Sequence, residues 1–146
     1  MSNNNKRDSI TDNLRYIFQS VVGTLDYTEK FKEQDRVDNR TMAMLSYIIP
    51  LIPFIVERNS AYVKFHSNQG MNLFVWYIIV FSFLKITSTG FPPLRDMISF
   101  LILLVTLLFI SLIVFGIFNT LKDNAREIPI VSKLNLITIV SDVFGK

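Results

Sequence analysis

The sequence predicts an all-α integral membrane protein, and three observations carry that reading. Met97 to Phe118, MISFLILLVTLLFISLIVFGIF, runs 22 residues without a charge. As a helix it measures ~33 Å, enough to cross a hydrocarbon core of ~30 Å. Met71 to Leu84 is a second apolar run, which Lys85 lengthens by snorkelling. Half of the 146 residues are hydrophobic, the mean hydropathy is positive and 13 are Phe, more than a soluble domain usually carries. The expected architecture is a small helical bundle with two clear transmembrane helices, one Pro-broken short or re-entrant segment, and an N-terminal amphipathic helix.

In chain order, residues 1–8 are polar and are expected to be disordered, with no apolar core of signal-peptide length. Over 9–27, Ile10, Leu14, Ile17, Phe18, Val21, Val22 and Leu25 share one face at 100° per residue, which predicts an amphipathic helix. Ser9 followed by Asp12 resembles a capping box at its start. Its polar face holds at least as much acid as base, so packing on protein is favoured over attraction to anionic lipid. Residues 28–40 include EKFKEQDRVDNR, a mixed-charge run read as a solvated linker.

A helical membrane domain is expected over 41–134. Its first part, 41–56, is TMAMLSYIIPLIPFIV, only ~24 Å as a straight helix, and it contains Pro50 and Pro53. It is either a kinked short crossing, with Arg40 and Arg58 snorkelling at its ends, or a re-entrant hairpin that enters and leaves on one side. Glu57 to Gly70 is a polar connector with Phe65, His66, Asn68 and Gln69, dense in hydrogen-bonding groups. Spans follow over 71–86 and 97–118. Thr87 to Pro93, TSTGFPP, is the turn between them, because two prolines stop a helix and Gly90 permits positive φ. Residues 135–146 are expected to lie at the interface as a tail.

Positive charge discriminates between the two readings of 41–56. If that segment crosses, the two sides of the membrane carry nine and six basic residues; if it re-enters, they carry thirteen and two. The re-entrant topology fits better. It places both termini and the His66 connector in the cytoplasm, in a multi-pass protein of the bacterial cytoplasmic membrane.

Chemistry is limited mainly by what is missing. The absence of cysteine excludes disulfides, zinc ribbons and thiol catalysis. The net charge of +3 is too small and dispersed to point to nucleic acid. No phosphate-binding loop, dinucleotide loop, H-E-x-x-H motif or nucleophile elbow occurs. The single histidine lacks local metal-ligand company, and neither a cofactor nor a metal is expected. Glu57, His66 and Asp96 would be the candidates for an acid-base set, but the favoured topology separates Asp96 from the other two, so no enzyme is expected. Pro50, Pro53, Phe65, His66, Asn68 and Gln69 are the candidate interaction or structural residues.

Asn39-Arg40 leading into Ala43-Met44-Leu45-Ser46-Tyr47, the Phe65-His66-Ser67-Asn68-Gln69-Gly70 run, and Gly116-Ile117-Phe118-Asn119 followed by Ile128-Pro129-Ile130 form an ordered set. This set resembles the bacterial branch of the Tic-like family, small membrane proteins of unassigned function similar to a channel-associated component of the chloroplast inner-envelope import translocon. The resemblance covers roughly residues 39–134. It implies a helical membrane domain and partnership with other membrane proteins, and it carries no catalytic residue across. The expected function is a non-enzymatic subunit or scaffold of a membrane protein complex. The alternatives are a self-protection or envelope-stress resistance protein and a small oligomeric channel. Expected partners are the lipid bilayer and other membrane proteins or further copies of the chain, with no nucleic acid and no identified small-molecule substrate.

Overall fold

The computed structural model describes residues 25–129. The amphipathic helix expected over 9–27, apart from its last three residues, and the tail expected over 135–146 lie outside the described residues. Among the described residues every regular element is helical, and extended pairing is confined to one antiparallel bridge between Asp26 and Arg126. A 3₁₀ turn at Thr28–Lys30 precedes α1 (Glu33–Asp38), α2 (Arg40–Leu45), α3 (Leu51–Val56), α4 (Ala61–Gly90) and, after a 3₁₀ turn at Pro92–Leu94, α5 (Arg95–Leu121).

α4 and α5 form an antiparallel hairpin. Ser60 starts α4 as its N-cap, its hydroxyl accepting the Val63 amide at 3.1 Å. The helix then runs 30 residues, ~45 Å, and includes the whole stretch 61–70 that local polarity marks as a connector. It also continues through Thr87 and Thr89, whose hydroxyls donate back to the Phe83 and Lys85 carbonyls. The turn is therefore confined to Phe91–Leu94, where Pro92 and Pro93 end one helix and start the next. α5 carries Asp96 in its first turn and closes at Asp123, whose φ of 56° is left-handed.

The apolar surface of this hairpin faces outward. Of the most apolar 18-residue windows, 11% of the one in α4 and 6% of the one in α5 are buried inside the protein. A core helix of a soluble protein would be mostly covered; these two helices are long and apolar enough to cross a membrane, and among the described residues their apolar surface is left open.

The 41–56 segment is broken at the first of its two prolines. Pro50 has no N–H to give the Ser46 carbonyl, and the chain turns between α2 and α3 at that point. Pro53 falls in the first turn of α3, where an amide would have no intrahelical acceptor, so it removes no helical bond. Arg40, at the start of α2, pairs with Asp123 beyond the end of α5, its Nε donating at 2.7 Å. The segment leads out through Ser60 into α4, whose Tyr62 amide donates to Asp35 of α1 at 3.2 Å. Both ends of 40–56 thus sit at one end of the hairpin, while its bend at Pro50 packs against Gly70.

Two apolar clusters hold the parts together. One joins Phe31, Ala43, Tyr62, Val63, Phe65 and Ala125 at the polar end; the other joins Tyr47, Leu73 and Ile128 with the side chains of α5 facing them.

Candidate functional site

The polar end of the bundle holds an unusual amount of buried hydrogen-bonding chemistry for so small a chain. Ser46, Ser60, His66, Ser67, Gln69, Asn72, Asn119 and Thr120 are all buried. The α4 spacing explains much of it, since residues 62, 66, 69 and 70 fall along one stripe facing α2 and the chain after α5.

His66 is fully buried, with Nδ1 2.7 Å from the Tyr47 hydroxyl. Its ring stands edge-on to Tyr47, Tyr62 and Phe65, with centroids 5.6, 4.5 and 5.1 Å away. Nε2 makes no direct hydrogen bond of normal geometry, although the ring interacts with the Asn124 backbone. Gln69, one turn on, accepts the Ile128 amide at 3.0 Å through Oε1 and donates to the Arg126 carbonyl at 3.2 Å through Nε2. Its side chain thereby gives the 126–128 segment the two partners that a neighbouring strand would supply. The Tyr47 hydroxyl also reaches Gln69 Oε1 at 3.4 Å, which links the two arrangements.

The expected site residues separate into groups. His66 and Gln69 come together through Tyr47, and Phe65 lies beside them, packed on Phe31 with ring centroids 5.6 Å apart. Pro50 stands against Gly70 and lines an apolar cavity together with Tyr47. Pro53 is buried in α3. Asn68 faces the opposite side of α4 from His66, and its carbonyl accepts Asn72 Nδ2 at 2.9 Å. Tyr47 is the central residue that sequence reasoning passes over. The available signal was a serine and tyrosine, Ser46 and Tyr47, in the middle of an apolar run, where each needs a partner; Ser46 finds Ser67, with hydroxyl oxygens 2.8 Å apart.

Electrostatics at this end are local and paired. Asp123 holds the Arg40 guanidinium above its ordinary pKa. Asp26 is lowered to about 2, first by the Thr28 hydroxyl and amide and then by Arg126, whose Nε donates at 2.8 Å. Among the described residues no three His, Asp or Glu side chains converge as a metal would need. His66 touches aromatic rings and a phenol, and its bond to the Tyr47 hydroxyl fixes how that ring is turned.

Comparison with known proteins adds one finding. Residues 38–137, more than half of the chain, match the model of the MamF/MmsF family, described as the magnetosome magnetite crystal formation protein family. No match is found among curated proteins or among solved structures. The match corrects the resemblance to the Tic-like family. All the segments that carry that resemblance, from Asn39-Arg40 to Ile128-Pro129-Ile130, lie inside 38–137, so they belong to a different family's pattern.

Proposed function

This chain belongs to the magnetosome magnetite crystal formation protein family, and from that premise we propose that it is a non-enzymatic integral protein of the magnetosome membrane that takes part in magnetite crystal formation. The observation that carries the proposal is the extent of the match, which runs from the end of α1 through both long helices and past Ile128. It therefore covers the Tyr47, His66 and Gln69 cluster and the whole apolar hairpin. The role is that of a scaffold: the buried cluster fixes the polar end, and α1 presents Glu33, Gln34, Val37 and Asp38 outward as a surface for another membrane protein.

The re-entrant topology belongs to the same proposal. It is supported by the placement of Arg40 and Ser60 at one end of the hairpin and by the basic residues gathered there. A channel lumen lined by the carbonyl that Pro50 frees is disfavoured, because the Ser46 carbonyl packs directly on Gly70.

Deletion of the gene in the source organism, followed by electron microscopy of its crystals, tests the role. A shift in crystal size or habit, restored by the wild-type gene, is the expected result. Unchanged crystals, or a tagged protein absent from purified magnetosomes, would refute it.

A further inference from the structure

Among the described residues, the 40–56 segment packs on the half of the α4 and α5 face nearest Ser60, its bend reaching Gly70, and leaves the half toward the turn open. Beneath the bend at Pro50 lies an apolar cavity of about 270 Å³, lined on α4 by Gly70, Phe74 and Tyr77 and on α5 by Thr106 and Phe109. A track leads away from it along both helices. Tyr77 packs on Phe109 and on Phe81, with centroids 5.3 and 5.6 Å apart, and Lys85 Nζ lies 5.7 Å from the Phe81 ring. Residues 77, 81 and 85 are spaced i, i+4 along one face. On α5, Arg95 precedes Phe109 by about 3.9 turns and returns to the cavity-lining face. The groove that the described residues leave open therefore starts in an apolar pocket and carries one exposed cation on each helix toward the turn, Lys85 on α4 and Arg95 on α5, the latter ~9 Å nearer the turn along the axis.

We infer that this groove binds one anionic phospholipid of the leaflet on the turn side, its phosphate between Lys85 and Arg95 and one acyl chain running along Phe81 and Tyr77 into the cavity. The length agrees. From Lys85 back to Phe74 is ~16 Å of helix, and one leaflet of a ~30 Å core is ~15 Å deep. A chain anchored at Lys85 ends where the pocket lies, filling a depth that the re-entrant segment leaves empty. Charge selects the headgroup, since both side chains at the mouth are cationic, and a cation at an anionic surface contributes about 1 kcal/mol, or roughly five-fold in affinity. The inference rests on the two spans and on the proposed re-entrant course of 41–56, and not on the role in crystal formation, so an unaltered crystal phenotype would leave it standing.

The test is native mass spectrometry of the purified full chain in mild detergent, offered equal phosphatidylglycerol and phosphatidylcholine with the same acyl chains. One phosphatidylglycerol per chain is expected to dominate. Lys85→Gln with Arg95→Gln should lower its retention about twenty-five-fold. Lys85→Arg with Arg95→Lys should retain it, which separates headgroup binding from loss of fold. Thr106→Trp, which fills the cavity, should reduce retention of both lipids while the protein keeps its elution volume. Equal retention of the two lipids, or an undiminished phosphatidylglycerol adduct in the double Gln variant, would overturn the inference. So would a lipid-free dimer in which a cysteine at position 106 cross-links to its counterpart, because a second copy would then occupy the groove.

Discussion

The side chain of Gln69 stands in for a strand to Ile128: it accepts the Ile128 amide at 3.0 Å and donates to the Arg126 carbonyl at 3.2 Å, across 59 and 57 residues of chain. Ile128 is fully buried as a result, and the chain leaving α5 is held against α4.

Gln69→Ala should leave a buried amide and a carbonyl without partners, a loss of about 1–3 kcal/mol. Gln69→Glu should cost a similar amount, because a carboxylate keeps the acceptor for Ile128 but cannot donate to Arg126. Thermal unfolding in one detergent measures both. A Glu variant as stable as wild type would mean that the Arg126 bond contributes nothing.

The glycines separate by their surroundings. A Cβ on Gly70 would lie 2.0 Å from the Ser46 carbonyl oxygen, and one on Gly116 would lie 2.5 Å from the Tyr47 ring, which His66 holds in place. Gly70→Ala and Gly116→Ala should each destabilise by about 1–3 kcal/mol or more. Gly90 has nothing within 4 Å of its Cβ position, and Gly90→Ala in the same series should be neutral or stabilising by up to about 1 kcal/mol.

Acid should weaken the tie between the chain before α1 and the chain after α5. The Asp26 carboxyl has a folded pKa of about 2 against an ordinary 3.8, so its contribution is complete above pH 3.8 and is lost as pH falls through about 2. Asp26 is exposed and screened by solvent, which limits the effect to below about 1 kcal/mol. Asp26→Asn should flatten the melting-temperature profile across that window. A profile identical to wild type would show that the Asp26 carboxylate gains nothing in solution from Thr28 and Arg126 together.

Topology can be read by labelling, because the chain has no native cysteine. Single cysteines at the exposed positions Asn59 and Thr89 are expected to react with an impermeant thiol reagent from opposite sides of the membrane, with a cysteine at Lys32 sharing the side of Asn59. Reaction of 32 and 59 from different sides would mean that 41–56 crosses, and the re-entrant proposal would fall.

The parts of this fold legible in sequence are those encoded by local runs. Twenty-two uncharged residues announce α5, and Pro50 announces a break. The N-terminal third of α4 was not legible. His66, Ser67 and Gln69 look like loop residues because their partners, Tyr47, Ser46 and Ile128, are 19 to 59 residues away. Local polarity cannot distinguish a solvated side chain from one whose bond is made by a distant segment. The pairing of Arg40 with Asp123 was hidden for the same reason.

The bend at Pro50 also determines a shape. Among the described residues α2 and α3 go in and come back beside one half of the α4 and α5 pair, so under the re-entrant topology proposed above this part of the protein would be broad in one leaflet and two helices wide in the other. Each copy would then displace more lipid area on one side than on the other, as a wedge does, and Pro50 would be the residue that sets that shape.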